Sequence, residues 1–217
     1  MSLHEESGSR FKATRITDSI FQNGYITERE AAVLLDLGVT HILNLDLPYG
    51  ATRVEMPAGL KVTEILLHDM APMSQEDVRR VVAVIQRAVD LEGGRIYVHC
   101  NAGLSRSPTA VWLYLVATGW DPHQASETIS AAATHLDAPD PILVHELELD
   151  SLKDWLRRPR WELWRRGEKT HPCLLSIHLT EAEVEKEKTM LEDKQRGFEA
   201  RGFPVRVRYW VEELRPS

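Results

Sequence analysis

The passage from Arg95 to Thr118 constrains the fold of this chain more than any other. Arg95-Ile96-Tyr97-Val98 reads as a buried strand, and Thr109 to Thr118 reads as an apolar helix. Between them lies a run of small and polar residues, His99-Cys100-Asn101-Ala102-Gly103-Leu104-Ser105-Arg106-Ser107-Pro108. A strand that passes into a helix through such a loop gathers backbone N–H groups and the positive end of the helix dipole at one point, which makes an anion cradle. Gly103 can take the backbone angles that a tight cradle needs, and Ala102 keeps its walls small. Ser107 suits the N-cap of the helix, and Pro108 suits its first turn, where no N–H is needed.

A cysteine in such a cradle is placed as a nucleophile toward a bound phosphate. Helix N-termini and nearby cations bring a cysteine pKa from near 8.5 down to roughly 3.5–7.5, so the expected reacting form of Cys100 is the thiolate. Arg106 offers a planar fork that can hold two phosphoryl oxygens, a geometry that lysine cannot copy. The Ser107 hydroxyl lies within reach of the Cys100 sulfur, where it can stabilise a departing thiolate. The competing reading is a buried cysteine in a tight turn beside a surface arginine.

The same string resembles the Cys-x5-Arg signature of protein tyrosine phosphatases. In its fuller form, His-Cys-x-Ala-Gly-x-Ser-Arg-Ser, it is similar to the dual-specificity subgroup, and the resemblance covers roughly residues 14 to 155. It implies a cysteine-dependent phosphatase that works through a cysteinyl-phosphate intermediate, with no metal and no cofactor. It implies catalytic roles for Cys100, Arg106, Asp69 and Ser107. Phosphate would be bound by Asn101, Ala102, Gly103, Leu104, Ser105 and Arg106, with His99 orienting the loop by hydrogen bonding. In that family an aspartate about thirty residues before the cysteine acts as general acid. Asp69, in Leu67-His68-Asp69-Met70-Ala71-Pro72, fits that placement directly after a strand. Asp46, also just past a strand end, is the rival, and Asp77 reads more simply as a helix-start residue.

Along the rest of the chain, strands and helices alternate. Ser19 to Asn23 reads as a short strand and turn. Thr27 with Glu30 opens a helix through Leu37, which Gly38 stops. Val39 to Leu45 and Lys61 to Leu67 read as strands. Ser74 with Asp77 opens a helix whose apolar positions are Val78, Val81, Val82, Ile85 and Val89. Asp121-Pro122 starts another helix after Gly119, and Ile142 to Leu156 reads as one more. The expected fold class is α/β, with a central mostly parallel sheet flanked by helices on both faces. The motif loop then sits at the carboxyl end of a strand, where such sheets bind ligands.

The predicted organisation is a polar tail over 1–13, a dual-specificity-phosphatase-like catalytic domain over 14–156, and an appendage over 157–217. The appendage opens on a basic and aromatic stretch, Arg157-Arg158-Pro159-Arg160-Trp161-Glu162-Leu163-Trp164-Arg165-Arg166. Such a stretch can stack on bases or sugars. The favoured reading is that the tryptophans pack while the arginines stay wet. Leu174 to Leu179, a charged helix from Thr180 to about Ala200, and Val205 to Val211 then give a strand–helix–strand unit. Its apolar stripe of Val184, Leu191 and Phe198 is thin, so the unit is expected to dock on the main domain or to pair with another chain as an oligomer.

A chain of 217 residues with 43% hydrophobic and 27% charged residues can bury one full core. A net charge of −7 gives no global basic signature for nucleic acid or membrane. Cys100 and Cys173, the two cysteines, give neither a disulfide framework nor zinc spacing. A working thiolate favours a reducing compartment. Met1 to Lys12 is polar, and no apolar run is long enough to span a bilayer, so the expected location is cytoplasmic. The expected partner is a phosphorylated substrate, chiefly phosphoprotein, because Leu104-Ser105 resembles loops of phosphoprotein-directed members. The loop has no lysine, which lowers the phosphoinositide reading. A phosphoglucan, phosphoinositide or RNA 5′-phosphate substrate is the alternative, and a phosphate-binding pseudophosphatase is a weaker one. Tyr49, Arg53 and the loop from Pro48 to Gly59 are expected to line the substrate mouth or to form a solvated variable loop.

Overall fold

The strand predicted before the motif loop is β5 of an eight-stranded sheet, and its burial explains its place near the middle. In the computed structural model, which describes residues 13–46, 56–133, 135–136, 138–145, 147–168 and 170–216, all four residues of β5 (Ile96–His99) are buried. The chain runs through β1 (Thr14–Arg15), β2 (Ile20–Asn23), α1 (Glu28–Asp36), β3 (His41–Asn44), β4 (Lys61–Glu64), α2 (Gln75–Gln86), β5, α3 (Arg106–Ala117) and α4 (Pro122–Ala132). It continues with α5 (Pro141–Val144), α6 (Leu152–Leu156), β6 (Arg160–Gly167), β7 (Cys173–His178), α7 (Glu181–Ala200) and β8 (Val207–Leu214). The strand order is β1-β2-β5-β3-β4-β7-β6-β8.

Side chains alternate across β5, so each face of the sheet gets its own core. Tyr97 joins Phe21, Ile42, Val62 and the α1 residues Ala31 and Leu34 on one side. Ile96 and Val98 join Ile20, Leu43 and the apolar positions of α2 and α3 on the other. The predicted capping boxes are present, Thr27 with Glu30 at α1 and Ser74 with Asp77 at α2. Gly38 and Gly119, just past α1 and α3, both take positive φ.

β2, β5, β3 and β4 are mutually parallel, and Asn23, His99, Asn44 and Glu64 lie at one level in the ladder. The segments that follow these strands therefore emerge together at one edge. This register gathers residues from separate parts of the chain around Cys100.

Two local expectations change. The predicted helix from Ile142 to Leu156 is two short helices, α5 and α6. The Gln75 side chain accepts from Glu148 N (3.3 Å) and donates to Glu148 O (3.1 Å), so the intervening backbone bonds to the start of α2 rather than to its own helix. The basic and aromatic stretch forms strand β6, so the C-terminal unit has one strand more than the sequence predicts. β6 pairs antiparallel with β7 on one side and with β8 along its whole length on the other.

This outer layer joins the inner sheet through a single parallel pair, Glu64 with Cys173. Its stronger attachment runs through α2. Glu76 accepts from Ile177 N (3.2 Å), and Arg80 donates to Leu174 O (3.3 Å). Trp155, Trp164, Leu174 and Ile177 belong to the same core cluster as α2 and α3. The arginines do not all stay wet. Arg160 is fully buried, bonding to Gln86 Oε1 (2.8 Å), Leu156 O (3.3 Å) and Glu162 (3.4 Å) and lying 5.0 Å over the Trp155 ring. Arg87 closes the network with Glu162 (2.5 Å) and Glu212 (2.9 Å). A buried ion network stands only when every member is satisfied, so it fixes how the layer sits on α2.

The Arg160→Met variant leaves Gln86 and Glu162 short of a partner and is expected to lose about 3–5 kcal/mol in urea unfolding. Arg160→Met/Glu162→Gln should recover part of that loss. A single variant within 1 kcal/mol of wild type, on the scale of an exposed pair, would show that the network does not hold the layer.

Candidate active site

The loop after β5 is built against the end of β2. Gly103 has φ +75°, and a Cβ there would come within 2.4 Å of Gly24 N and 2.5 Å of Asn23 C. Only glycine allows this approach. Asn101 O accepts from Tyr25 N (2.8 Å), and Gly103 O accepts from Gln22 Nε2 (2.6 Å). The loop carbonyls are thus turned toward β2. Among the described residues no acceptor takes the N–H groups of Ala102, Gly103 or Leu104. That is the arrangement of an anion nest at a helix N-terminus.

Cys100 is buried at 3% exposure, at the floor of this loop. Its Sγ lies 3.4 Å from Ser107 Oγ. Ser107 also accepts from Gln22 Nε2 (2.8 Å) and stands 3.2 Å from Asn23 O. With Gln22 donating to it, the hydroxyl has one proton to offer, to the carbonyl or to the sulfur. A negative sulfur attracts that proton more strongly. Ser107 is not the N-cap. The helix starts at Arg106 with Ser105 in the cap position, and the Ser105 side chain makes no capping bond. It donates instead to Asp140, whose N–H donates to Thr109 Oγ1 (2.9 Å). Pro108 lies in the first turn, as expected.

Arg106 is also buried. Its Nη1 bonds to Asp46 Oδ1 (2.8 Å) and Leu67 O (3.2 Å), and its Nε lies 3.2 Å from Asp69 Oδ1. Asp46 and Asp69, the two carboxylates weighed from sequence, therefore meet on one guanidinium. Their surroundings differ: the Asp69 side chain is 66% exposed, while that of Asp46 is 12% exposed. Asp69 is followed by Met70 with φ 55°, a rare value for a residue with a side chain, which marks a sharp turn in its loop.

His99 is buried, stacked on Tyr97 with ring centroids 5.7 Å apart, and its Nδ1–H donates to Cys100 O (3.3 Å). Burial pushes its pKa down to about 4, offset in part by the Cys100 carbonyl and by Asp46. It is thus neutral near pH 7, with its Nδ1–H held on the Cys100 carbonyl. Tyr97 reaches past it to donate to Gly24 O (2.7 Å).

Sequence reasoning missed Gln22 and Asp140. Gln22 was legible in principle: it is the polar member of Ile20-Phe21-Gln22-Asn23, a strand whose residues are otherwise buried and apolar up to Gln22. Tyr49 and Arg53 lie outside the described residues. Cys173 does not neighbour Cys100. Strands β3 and β4 lie between them, which at about 4.8 Å per strand is roughly 14 Å, beyond the 7 Å that a disulfide can bridge.

The comparisons with known proteins converge on the class that this loop suggests. A family model described as PTP-SAK, Swiss Army Knife protein, DSP-PTPase phosphatase domain, matches residues 24–149, more than half of the chain. The chain belongs to this DSP-PTPase phosphatase family. It is similar to dual specificity protein phosphatase 26 of Bos taurus, at 34% identity over 107 residues, 46% of this chain and 50% of that protein. It is also similar to dual specificity protein phosphatase PHS1 of Arabidopsis thaliana, at 27% identity over 123 residues, 54% of this chain and 13% of that protein. The chain thus spans about half the length of the first of these relatives, and less of the second. Among solved structures, that of PTPMT1 covers 67% of this chain and 94% of its own with a TM-score of 0.51 at 24% identity. That of P. aeruginosa TpbA in complex with pTyr covers 65% and 88%, with a TM-score of 0.51 at 17% identity. At these identities the likeness is one of fold. The family match ends before β6, so the outer strands lie outside it.

The depressed pKa of His99 has a stability consequence. Between the ordinary value of 6.5 and about 4 the unfolded chain binds a proton that the folded chain does not. Stability is therefore full above pH 6.5 and falls as pH drops toward 4, by on the order of 3 kcal/mol for this group. In urea unfolding from pH 7 to 4.5, His99→Gln should have a flatter profile than wild type. Parallel profiles would assign the acid sensitivity to other groups.

Proposed function

We propose that this protein hydrolyses phosphate monoesters through a cysteinyl-phosphate intermediate on Cys100, with phosphotyrosine and phosphoserine/threonine of proteins as its substrates. The observation that carries the reading is the 3.4 Å approach of Ser107 Oγ to Cys100 Sγ inside a loop whose N–H groups are unspent. A serine held there by Gln22 ties the loop to β2 and also sets a hydroxyl beside the sulfur, where it serves the breakdown of a thiophosphate ester.

In the first step the Cys100 sulfur attacks phosphorus in line, the S–P bond forms and the ester P–O bond breaks. The equatorial oxygens are held by the N–H groups of Asn101 to Arg106 and by the guanidinium. Asp46 keeps Nη1 in place, and the substrate takes up the remaining N–H groups. Asp69, beside Arg106 and open to solvent, delivers its proton to the departing oxygen. In the second step the Asp69 carboxylate takes a proton from water, the hydroxide attacks phosphorus, and the S–P bond breaks. The Ser107 proton then stabilises the sulfur anion as it leaves.

A protein substrate is favoured by the surroundings of the loop. Tyr25, Met70 and Leu104 are large apolar side chains, each more than half exposed, and they belong to the segments that border Cys100. They offer contact to an aryl or peptide group rather than to a polyhydroxylated ring.

With p-nitrophenyl phosphate and a phosphotyrosine peptide, Cys100→Ser should abolish turnover; surviving turnover would overturn the mechanism. Asp69→Asn should lower kcat roughly 10²–10⁴-fold with an alkyl leaving group and much less with p-nitrophenol, which leaves without a proton. Ser107→Ala should slow the second step, so that rapid acid quench traps more phosphoenzyme than in wild type. An unchanged phosphoenzyme level would remove Ser107 from that role. A phosphoglucan turned over faster than phosphopeptides would replace the substrate reading while leaving the chemistry intact.

A further inference from the structure

The outer sheet carries a second candidate site that the phosphatase chemistry does not use. Opposed residues on β6 and β8 share one face, and on this face Glu162 stands opposite Glu212, Trp164 opposite Trp210, and Arg166 opposite Arg208. The first two pairs are accounted for by Arg87 and by stacking of the two indoles, with centroids 6.1 Å apart at 13°. The third is not. Two arginines directly opposed in a sheet repel, and among the described residues neither has a carboxylate partner. The nearest basic neighbour, Arg206, is already held by Glu168 (2.9 Å).

Arg166, Arg208 and Trp210 line one cleft of about 810 Å³, closed on one side by Pro172 and Gln195. It runs into a narrower wedge of about 370 Å³, opened between Lys61–Thr63 and Pro172 just before β4 and β7 meet in their single pair, and Trp164 lines this wedge. Trp164 is 5% exposed; its ring stacks on Trp210 and lies 5.5 Å from the Arg87 guanidinium, so Trp210 is the indole that the cleft reaches. The wedge is lined by Lys61 and His41, the first residues of β4 and β3, and so lies at the sheet edge opposite Cys100.

We infer that this cleft binds the phosphate ester of a ring compound, with Arg166 and Arg208 as the clamp on the phosphate and Trp210 as the contact to the ring. Two guanidinium groups with no carboxylate partner among the described residues, in a chain of net charge −7, select an anion. The Trp210 indole beside them selects a flat or faceted ring. Glu212, which accepts from Trp210 Nε1 (2.9 Å), is placed to accept from a ring hydroxyl. A nucleoside monophosphate and a hexose phosphate share this chemistry.

The test is isothermal titration of full-length Cys100→Ser protein, which cannot turn substrate over, with AMP, glucose 6-phosphate and inorganic phosphate in separate arms. AMP or glucose 6-phosphate should show a binding event that Arg208→Glu weakens at least tenfold, and Arg166→Glu likewise. In the Cys100 background both variants should keep p-nitrophenyl phosphate turnover within twofold, which reports their folding. The tighter of the two ring phosphates identifies the ring. Titrations unaffected by either charge reversal would overturn the inference, because all binding would then belong to the loop at Cys100. Inorganic phosphate binding the cleft as tightly as both ring compounds would overturn the role given to Trp210.

Discussion

The close approach of two stretches of backbone governs this site. Gly103 meets Asn23 and Gly24 at a distance where no side-chain carbon fits, and that contact sets the curvature of the loop. From it follow the carbonyls of Asn101 and Gly103 turned toward β2 and the position of Cys100 against Ser107. The contact in turn depends on β2 lying beside β5 in parallel, because only that pairing ends both strands at one level. A sheet with the same strands in another order would leave the Cys-x5-Arg string intact and the cradle unformed.

Much of this was legible from the amino acids. The strand, loop and helix around Cys100 are bounded by residues whose backbone preferences agree with one another, and the capping boxes at Thr27 and Ser74 marked two more helices directly. Asp46 and Asp69 were both found because each follows a strand. That they share Arg106 was not legible, because spacing along the chain says nothing of which strand ends converge. Gln22 was hidden for a similar reason. A polar residue in a buried strand shows that a partner exists, but the partner, Ser107, comes 85 residues later.

The C-terminal layer was harder. Periodicity found β7, α7 and β8 to within a few residues, yet β6 carries so many arginines that the sequence suggests packed tryptophans with wet arginines rather than a strand. The physical reason is compensation. Arg160 and Glu162 satisfy each other and borrow Gln86 and Arg87 from α2, so charged residues occupy positions that a strand pattern reserves for apolar ones. A sequence scale scores each residue against water, whereas the fold scores it against its neighbours.

The single hydrogen-bonded pair between Glu64 and Cys173 sets the mechanical character of the molecule. Eight strands form one sheet in name, but a sheet held by one pair transmits little shear across that line. The outer three strands are instead carried by α2, whose other side lies against the layer that holds Cys100. Any displacement of β6 and β8 would thus arrive at the inner sheet as a push on a helix rather than as a slip between strands. Ser74, the N-cap of α2, comes five residues after Asp69, so the loop that bears this carboxylate is tethered to the element that supports the outer strands.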